Sequence, residues 1–361
     1  METCLSRTAL AADERLNWTT SLPFLAFHLI PSAIIWTGLP AGALALAAAL
    51  YFGRMFFITA GYHRYFAHRS YRLPRWAQFV MALGGTSCMQ KGPLWWAAHH
   101  RDHHRYSDTE RDVHSPIRGF WWSHVGWILC DKYGATDERR IRDFAKYPEL
   151  RWLNRNDWVG WVGLAAACWL LGGWSGLVVG FGVSTICLWH GTFLVNSLAH
   201  VMGRRRFVTA DTSRNSVLIA LLTNGEGWHN NHHHYQASAR QGFRWYEWDP
   251  SFYVLWVLSK VGIVRHLKAP SPEILHAGLV RSGQFDVGMF RTRWHVAAER
   301  LAAFGSHAAE ELADRRRVLE ERIEAALGDL DAYVLATRMA HAELAVVRQA
   351  ARSGRPVRLG S

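Results

Sequence analysis

The sequence predicts an all-α integral membrane protein with four transmembrane helices in two hairpins and a cytoplasmic helical cap that carries histidine clusters. Half of the 361 residues are apolar, yet the mean hydropathy is close to zero. Long stretches almost free of charge alternate with stretches dense in arginine, histidine and aspartate. This division is typical of membrane spans joined by water-exposed segments, and it argues against two soluble domains.

The two predicted hairpins each join two apolar spans. The first pairs spans at about 19–37 and 41–60, separated by Gly-Leu-Pro, and the second pairs spans at about 158–173 and 177–201, separated by a Gly-Gly-Trp-Ser-Gly turn. A span of roughly 20 residues crosses about 30 Å of hydrocarbon at 1.5 Å per residue. The alternative, buried helices of a soluble protein, is disfavoured by these lengths and by the flanking charges.

Basic residues flank the ends of the spans that lie away from the two turns. They are Arg7, Arg15, Arg64, Arg69, Arg72, Arg75, Arg151, Arg155, Arg204, Arg205 and Arg206. The turns themselves carry almost no charge. By the positive-inside rule, both termini and the region between the hairpins face the cytoplasm. We therefore expect a multi-pass protein, with the cell membrane as its location.

The chain divides into three predicted parts. A cytoplasmic segment covers 1–18, a membrane domain covers 19–287 and a tail covers 288–361. The cap of the membrane domain comprises 61–157 and 202–287. In the tail, apolar residues recur at steps of three, four or seven among Ala, Glu and Arg, which indicates an amphipathic helix that packs on the body or pairs with a partner helix.

The composition excludes several classes of protein. The formal charge is +12, but no nucleic-acid-binding motif accompanies it, so the basic balance fits a membrane surface and no nucleic-acid partner is expected. Five scattered cysteines without a C-x-x-C pair exclude a disulfide framework and a thiolate metal site. The charged first twenty residues do not resemble a cleavable signal peptide.

Nine of the 20 histidines fall into four patterned clusters. They are His63 and His68 in HRYFAH; His100, His103 and His104 in HRDHH; His200 in NSLAH, with Asn196; and His229, His232 and His233 in HNNHH. Residues at i, i+3 and i+4 share one helix face, so each triad can point together. His63 and His68 are five apart, and we expect the helix to end or bend between them.

Each cluster lies at or just beyond the cytoplasmic end of an apolar segment, so the clusters can meet in one layer outside the membrane. Neutral imidazole suits iron, copper and zinc. Nine imidazoles exceed what one ion uses, which favours two ions, and two adjacent irons could take two electrons and activate dioxygen. A single cluster could be a solvated loop, but four clusters beside membrane spans favour a metal centre.

Several other histidines receive a plainer interpretation. His28 and His190 lie within spans, where we expect them to be packed or hydrogen-bonded rather than ligands. His99 and His234 adjoin two of the clusters but break their spacing, so we do not count them as ligands. His114 and His124 remain candidates to contact ligands from behind.

The segments HRYFAH, HRDHHRYSDTERDVHSP, GFWWSHVGW, NSLAH and GEGWHNNHHH carry a resemblance between His63 and His234. Their order and spacing resemble the integral-membrane fatty acid desaturase family, in its acyl-CoA (stearoyl-CoA-like) Δ9 branch. The resemblance implies a cytoplasmic di-iron centre of two Fe2+ ions. The implied ligands are His63, His68, His100, His103, His104, His200, His229, His232 and His233, with Asn196 bound through a water.

The resemblance also implies what surrounds the ligands. No catalytic residue beyond the ligands and no bridging carboxylate are expected. Nearby acidic residues should fix the imidazole tautomers. The candidates are Asp102, Asp108, Asp112 and Glu226.

The implied reaction uses O2 and two electrons to place a cis double bond in a saturated acyl chain held in an apolar kinked tunnel. Trp95, Ala97 and Ala98 stand where animal acyl-CoA members tend to place charged residues. The carrier therefore stays open between acyl-CoA, acyl-carrier protein and a membrane lipid. Because no fused cytochrome b5 module is visible, electrons would come from a separate ferredoxin, rubredoxin or cytochrome b5 type donor attracted by the basic face.

Two other functions compete with this interpretation. A membrane hydroxylase or alkane monooxygenase would use the same histidines, because hydroxylation diverges from desaturation only after the first hydrogen abstraction. A metal transporter or sensor would need polar ligands along a path through the spans. The spans hold few such residues, which disfavours transport.

Overall fold

The computed structural model describes residues 11–109, 111–280, 285–302, 306–326 and 330–353. Within these ranges the regular structure is helical, with isolated β-bridges and no β-strand. This confirms the all-α prediction. The chain forms two compact units. We call residues 11–207 with 213–277 the membrane unit, and residues 208–212 with the described residues from 278 onward the tail unit.

The membrane unit is built from α-helices of very different length. They are α1 (Trp18–Phe27), α2 (Ile34–Thr37), α3 (Ala41–Phe56), α4 (Arg75–Thr86), α5 (Pro93–Tyr106), α6 (Phe120–His124), α7 (Arg142–Ala145), α8 (Pro148–Arg155), α9 (Trp158–Ser175), α10 (Ser184–Ser197), α11 (Val217–Leu222), α12 (His229–His234), α13 (Pro250–Lys260) and α14 (Pro272–His276). Two further segments, Phe57–Ala67 and Gly176–Val183, are π-helical and continue α3 and precede α10.

Three helical stretches of the described chain are long and apolar enough to cross a membrane. They are Trp18–Thr37, Ala41–Ala67 and Trp158–His200. The first is capped by Asn17, whose side chain accepts hydrogen bonds from the amides of Thr19 and Thr20. The predicted number of four spans and the cytoplasmic position of the cap stay predictions.

The third stretch contains a sharp break at Gly173, whose φ of 56° lies in the left-handed region that favours glycine. After the break, the π-helical segment Gly176–Val183 packs against both α9 and α3. Gly176 comes so near the carbonyl oxygen of Cys168 that a Cβ atom there would lie 2.2 Å from it. The Ser175 hydroxyl donates to the carbonyl of Thr37, which joins this break to the end of the first apolar stretch.

The main core of the membrane unit lies where α3, α4, α5 and α8 meet. Its buried apolar residues include Ile58, Tyr62, Phe66, Leu94, Leu150, Leu153 and Leu188. The core therefore surrounds the segments that carry the first two histidine clusters, which fixes the backbone behind them.

The tail unit contains helices α15 (Val287–Ala302), α16 (Ser306–Ala325) and α17 (Leu330–Ser353). They share a core of their own that includes Trp294, Leu312, Leu319, Leu344 and Val347. The indole of buried Trp294 donates to the carbonyl of Leu312. The predicted boundary of the tail at residue 288 stays a prediction.

We predict that Gly176→Val destabilises the protein by about 1–3 kcal/mol, because the added side chain must displace the backbone of Cys168. Gly172→Ala is the matched control, since no atom lies within 4 Å of a Cβ placed there. Thermal unfolding of the detergent-solubilised protein, followed by tryptophan fluorescence, measures both variants. Equal melting temperatures for the two variants would contradict the close approach.

Candidate metal centre

The first cluster uses an unusual helix to align its two histidines. His63 lies in the π-helical segment Phe57–Ala67, and His68 follows its last residue. The amide of His68 donates to the carbonyl of His63 at 3.1 Å, an i to i+5 bond. The expected end or bend between them takes the form of this widened turn, which brings residues five apart onto one face.

The second cluster lies on α5, which begins with Gly92 and Pro93. The side chain of Asn154, from α8, accepts hydrogen bonds from the amides of Leu94 and Trp95 and so caps the helix. This anchor fixes the rotation of α5. As predicted from helical spacing, His100, His103 and His104 lie close together.

The last two clusters come from a helix end and a short helix. His200 ends the 3-10 turn Leu198–His200 that follows α10. His229, His232 and His233 lie on α12. Asn230 lies next to His229 on α12. Its side-chain oxygen accepts hydrogen bonds from the amides of Arg206 and Phe207 and so anchors the helix.

The nine predicted ligands converge in two groups, within each of which one ligand atom per residue lies within 4.8 Å of the others. The first group contains His63, His68, His100, His104 and His232. The second contains His103, His200, His229 and His233. Each group could hold a metal ion, which matches the predicted number of two, although the role of each residue as a ligand stays a prediction.

The spacing of the imidazole nitrogens fits bound metal. The Nε2 atom of His232 lies 3.0 Å from that of His63 and 2.9 Å from that of His104, and the pair His200–His229 is separated by 3.1 Å. One Nε2 proton on His232 could serve only one of its two neighbours. Ligands at right angles with metal–nitrogen bonds of about 2.1 Å would lie about 3.0 Å apart.

Four of the imidazoles are held in the neutral form that binds metals. Burial, reinforced by neighbouring histidines, lowers the pKa of His68, His100, His104 and His232 well below the usual histidine value. At neutral pH these rings therefore keep a lone pair for a metal ion.

Three of the four predicted carboxylates contact the rings from behind. Glu226 lies 2.5 Å from Nδ1 of His63, Asp112 lies 2.9 Å from Nδ1 of His103, and Asp108 lies 3.1 Å from Nδ1 of His200. A carboxylate at Nδ1 holds the proton there and leaves Nε2 free to bind metal. Asp108 and Asp112 come from one loop, so a single turn orients two rings of the second group.

The fourth carboxylate has a different partner. Asp102 lies 2.7 Å from Nε of Arg140. It stands two residues after His100 on α5, which places it on the opposite helix face from the clustered rings. Sequence proximity alone therefore misjudged this residue.

An apolar cavity of about 200 Å³ adjoins the first group. Its aromatic lining comprises Phe24, Trp95, Trp96, Trp127, Trp189 and Phe193. A second cavity of about 30 Å³ shares Trp96, His100, Thr192 and Asn196 with it and also contacts residues of both groups. Asn196 thus faces the cavities, outside the two groups of converging ligand atoms, and its predicted water-mediated contact stays a prediction.

One residue at the site, Arg64, was not predicted as a member, and one candidate to contact ligands from behind, His114, packs on a predicted ligand. Arg64 is fully buried and pairs with Glu226 at 3.0 Å and with Asp249 at 2.8 Å. Burial alone would raise the pKa of Glu226, but His63 and Arg64 outweigh it and hold that pKa below its usual value. His114 packs on His103 with ring centroids 4.2 Å apart. The only sequence signal for Arg64 was its position beside His63.

Comparison with known proteins points to one family. Residues 36–267 match the family model described as fatty acid desaturase. The chain is 36% identical over 269 residues to an sn-1 stearoyl-lipid 9-desaturase of Anabaena variabilis, covering 72% of this chain and 97% of the relative. It is 40% identical over 221 residues to acyl-CoA 5-desaturase AL21 of Anemone leveillei, covering 60% and 68%. It is 40% identical over 235 residues to the delta-9 desaturase-like 5 protein of Arabidopsis thaliana, covering 63% and 78%.

We predict that Asp112→Asn weakens the affinity for a divalent transition metal by roughly 10- to 100-fold, because the tautomer of His103 is no longer fixed. Asp102→Asn is the matched control and should bind metal like the parent, since Asp102 pairs with Arg140. Metal retained after dialysis against chelators of graded strength measures the difference. Equal loss from both variants would contradict the assignment.

Proposed function

We propose, from the premise that this chain belongs to the fatty acid desaturase family, that it is a membrane di-iron desaturase acting on saturated fatty acyl chains. It would introduce a cis double bond between carbons 9 and 10, using O2 and two electrons. The observation that carries this proposal is the convergence of nine imidazoles into two groups beside an apolar cavity.

Iron is the metal that suits both the ligand set and the reaction. When bound, two irons would supply the two-electron oxidation of adjacent methylenes by O2. The nine histidines would hold them through imidazole nitrogens, and Asn196 would reach one through a water. Glu226, Asp112 and Asp108 keep the Nδ1 protons in place so that the metal-facing nitrogens stay unprotonated.

The protein positions the substrate and excludes water. The reaction converts two adjacent methylenes, one O2, two electrons and two protons into a double bond and two waters. The aromatic walls of the cavity suit an extended acyl chain, and Trp96 and His100 line both cavities. A chain held there would pass the first group of histidines, so that one carbon pair is presented for oxidation.

We further propose four membrane spans in two hairpins, with the active site and both termini on the cytoplasmic side of the cell membrane. The break at Gly173 and the packing of Gly176–Val183 against α9 favour two arms within the third apolar stretch. The hydrogen bond from Ser175 to Thr37 joins the two hairpin tips, which favours placing both on one side. Residues 19–287 would form the desaturase domain and 288–361 a helical tail.

Among the possible carriers, we favour an acyl lipid of the membrane. Ala97 and Ala98 are buried, so these two positions offer no charged side chain to a coenzyme A head group. The relative from Anabaena variabilis is named as a lipid desaturase, whereas the one from Anemone leveillei is named for acyl-CoA. Electrons would come from a separate ferredoxin, rubredoxin or cytochrome b5 type protein.

Expression in a host without its own desaturase tests the reaction. We expect mass spectrometry of the host lipids to show monounsaturated chains that have lost two hydrogens, with the double bond after carbon 9. His100→Ala should give no such product, because it removes a member of the first group. Products that carry an added oxygen atom would identify a hydroxylase and contradict the proposal.

Metal analysis tests the cofactor. The protein purified without oxygen should hold about two irons per chain, one for each histidine group. Chelation should abolish desaturation, and Fe2+ should restore it, whereas Zn2+ should not because it has no redox chemistry. Tightly bound zinc with no iron in the active protein would contradict the assignment.

A further inference from the structure

Outside the two metal groups, three more histidines form a continuous hydrogen-bonded row in the membrane unit. Nε2 of His28, just after α1, lies 3.2 Å from Nε2 of His190 on α10. Nδ1 of His190 lies 3.0 Å from Nε2 of His124, at the end of α6. Nδ1 of His124 lies 3.0 Å from the hydroxyl of Ser197. We call these three residues the imidazole row.

The row has one neutral arrangement of its protons. The carbonyl of Phe24 can only accept, so Nδ1 of His28, 2.8 Å away, donates to it. Nε2 of His28 therefore accepts from Nε2 of His190, and Nδ1 of His190 accepts from Nε2 of His124. Nδ1 of His124 then faces the hydroxyl of Ser197, whose single proton also has the carbonyl of Phe193 as an acceptor at 2.9 Å. Burial, with His190 nearby, lowers the pKa of His124 to about 4, which agrees with a neutral row. His28 and His190 must each donate at one nitrogen and accept at the other.

This arrangement distinguishes the row from a third metal site. Each imidazole uses both nitrogens along the row, so the nitrogens do not converge on a common point. Instead, the row joins α1, α6 and α10 side by side. Hydrogen bonds between helices are a common means of fixing packing within a membrane.

The row lies directly behind the aromatic wall of the 200 Å³ cavity. The ring of His28 contacts Phe24 at 4.8 Å and Trp189 at 5.8 Å between centroids. The rings of His190 and His124 contact Phe193 at 5.9 Å and 5.6 Å. Phe24 comes from α1, whereas Trp189 and Phe193 come from α10, so the row ties together two helices that form one wall.

We propose that the imidazole row holds this wall of the acyl cavity at a fixed position and thereby determines which carbon pair is oxidised, with His190 as the central positioning residue. The inference rests on the proposed desaturase function. Phe24 of α1 stacks on Trp189 of α10 at 5.0 Å between ring centroids and meets Phe193 of α10 at 6.4 Å in a tilted arrangement. If the row is broken, α1 can shift against α10, and an acyl chain can slide along the loosened wall.

The fatty acid products of two matched variants test the proposal in the desaturase-deficient host. His190→Gln keeps a group that donates and accepts, whereas His190→Leu fills similar space without either. We expect His190→Leu to raise severalfold the share of double bonds at other positions or in chains of other length. His190→Gln should keep the parent's product distribution. Iron content should be unchanged in both, since the row lies outside the metal groups.

The possible outcomes distinguish a failure of the imidazole row's proposed role from a failure of the proposed desaturase function. If His190→Leu makes the parent's products in the parent's proportions, at whatever rate, or if His190→Gln broadens them equally, the inference is overturned. Should His190→Leu fail to accumulate, His28→Leu and His28→Gln, which act on the far end of the row, decide the question in the same assay. A parent chain that yields no unsaturated product would instead remove the proposed function itself.

Discussion

The fold depends on one constraint, which is that nine imidazole rings from four separate segments must be held with their nitrogens crowded together. Crowded lone pairs repel unless a cation lies between them, so the apoprotein must hold the rings against that repulsion. It does so by attaching each group to rigid elements. Asn154 anchors α5, Asn230 anchors α12, and the loop with Asp108 and Asp112 binds one ring from each of two separate segments.

The buried charges behind the rings also hold the imidazoles in fixed orientations. Arg64 is completely enclosed, and a buried guanidinium without partners would be strongly destabilising. Glu226 and Asp249 both pair with it, and Glu226 also accepts a hydrogen bond from Nδ1 of His63. The chain from Asp249 through Arg64 and Glu226 to His63 therefore gives the buried guanidinium two carboxylate partners while fixing the orientation of a predicted ligand. Glu226 could not orient His63 as a carboxylate without Arg64, because an isolated buried acid would tend to be protonated.

The sequence predicted the helical class, the apolar stretches and the grouping of the histidines, because hydropathy and helical spacing are local properties. It failed where contacts between distant segments determine the partner of a side chain. Asp102 is adjacent to the cluster in sequence, but helix rotation turns it toward Arg140. The cavity needs Phe24, Trp96 and Phe193 from three separate helices. His28 and His190 were expected to be packed or hydrogen-bonded, but nothing local indicated that they bond to each other.

Arg54 shows how the membrane part reaches this geometry. It is buried within an apolar stretch, where a charge is costly, and its described contacts are all with neutral groups. It donates to the hydroxyls of Ser184 and Thr185, where the second π-helical segment gives way to α10, and to the carbonyl of Ser87 after α4. It also stands three residues before the π-helical segment that carries His63. Arg54, which lies outside every histidine cluster, thus joins the helix that continues into the segment of His63 to the end of α4 and to the beginning of α10.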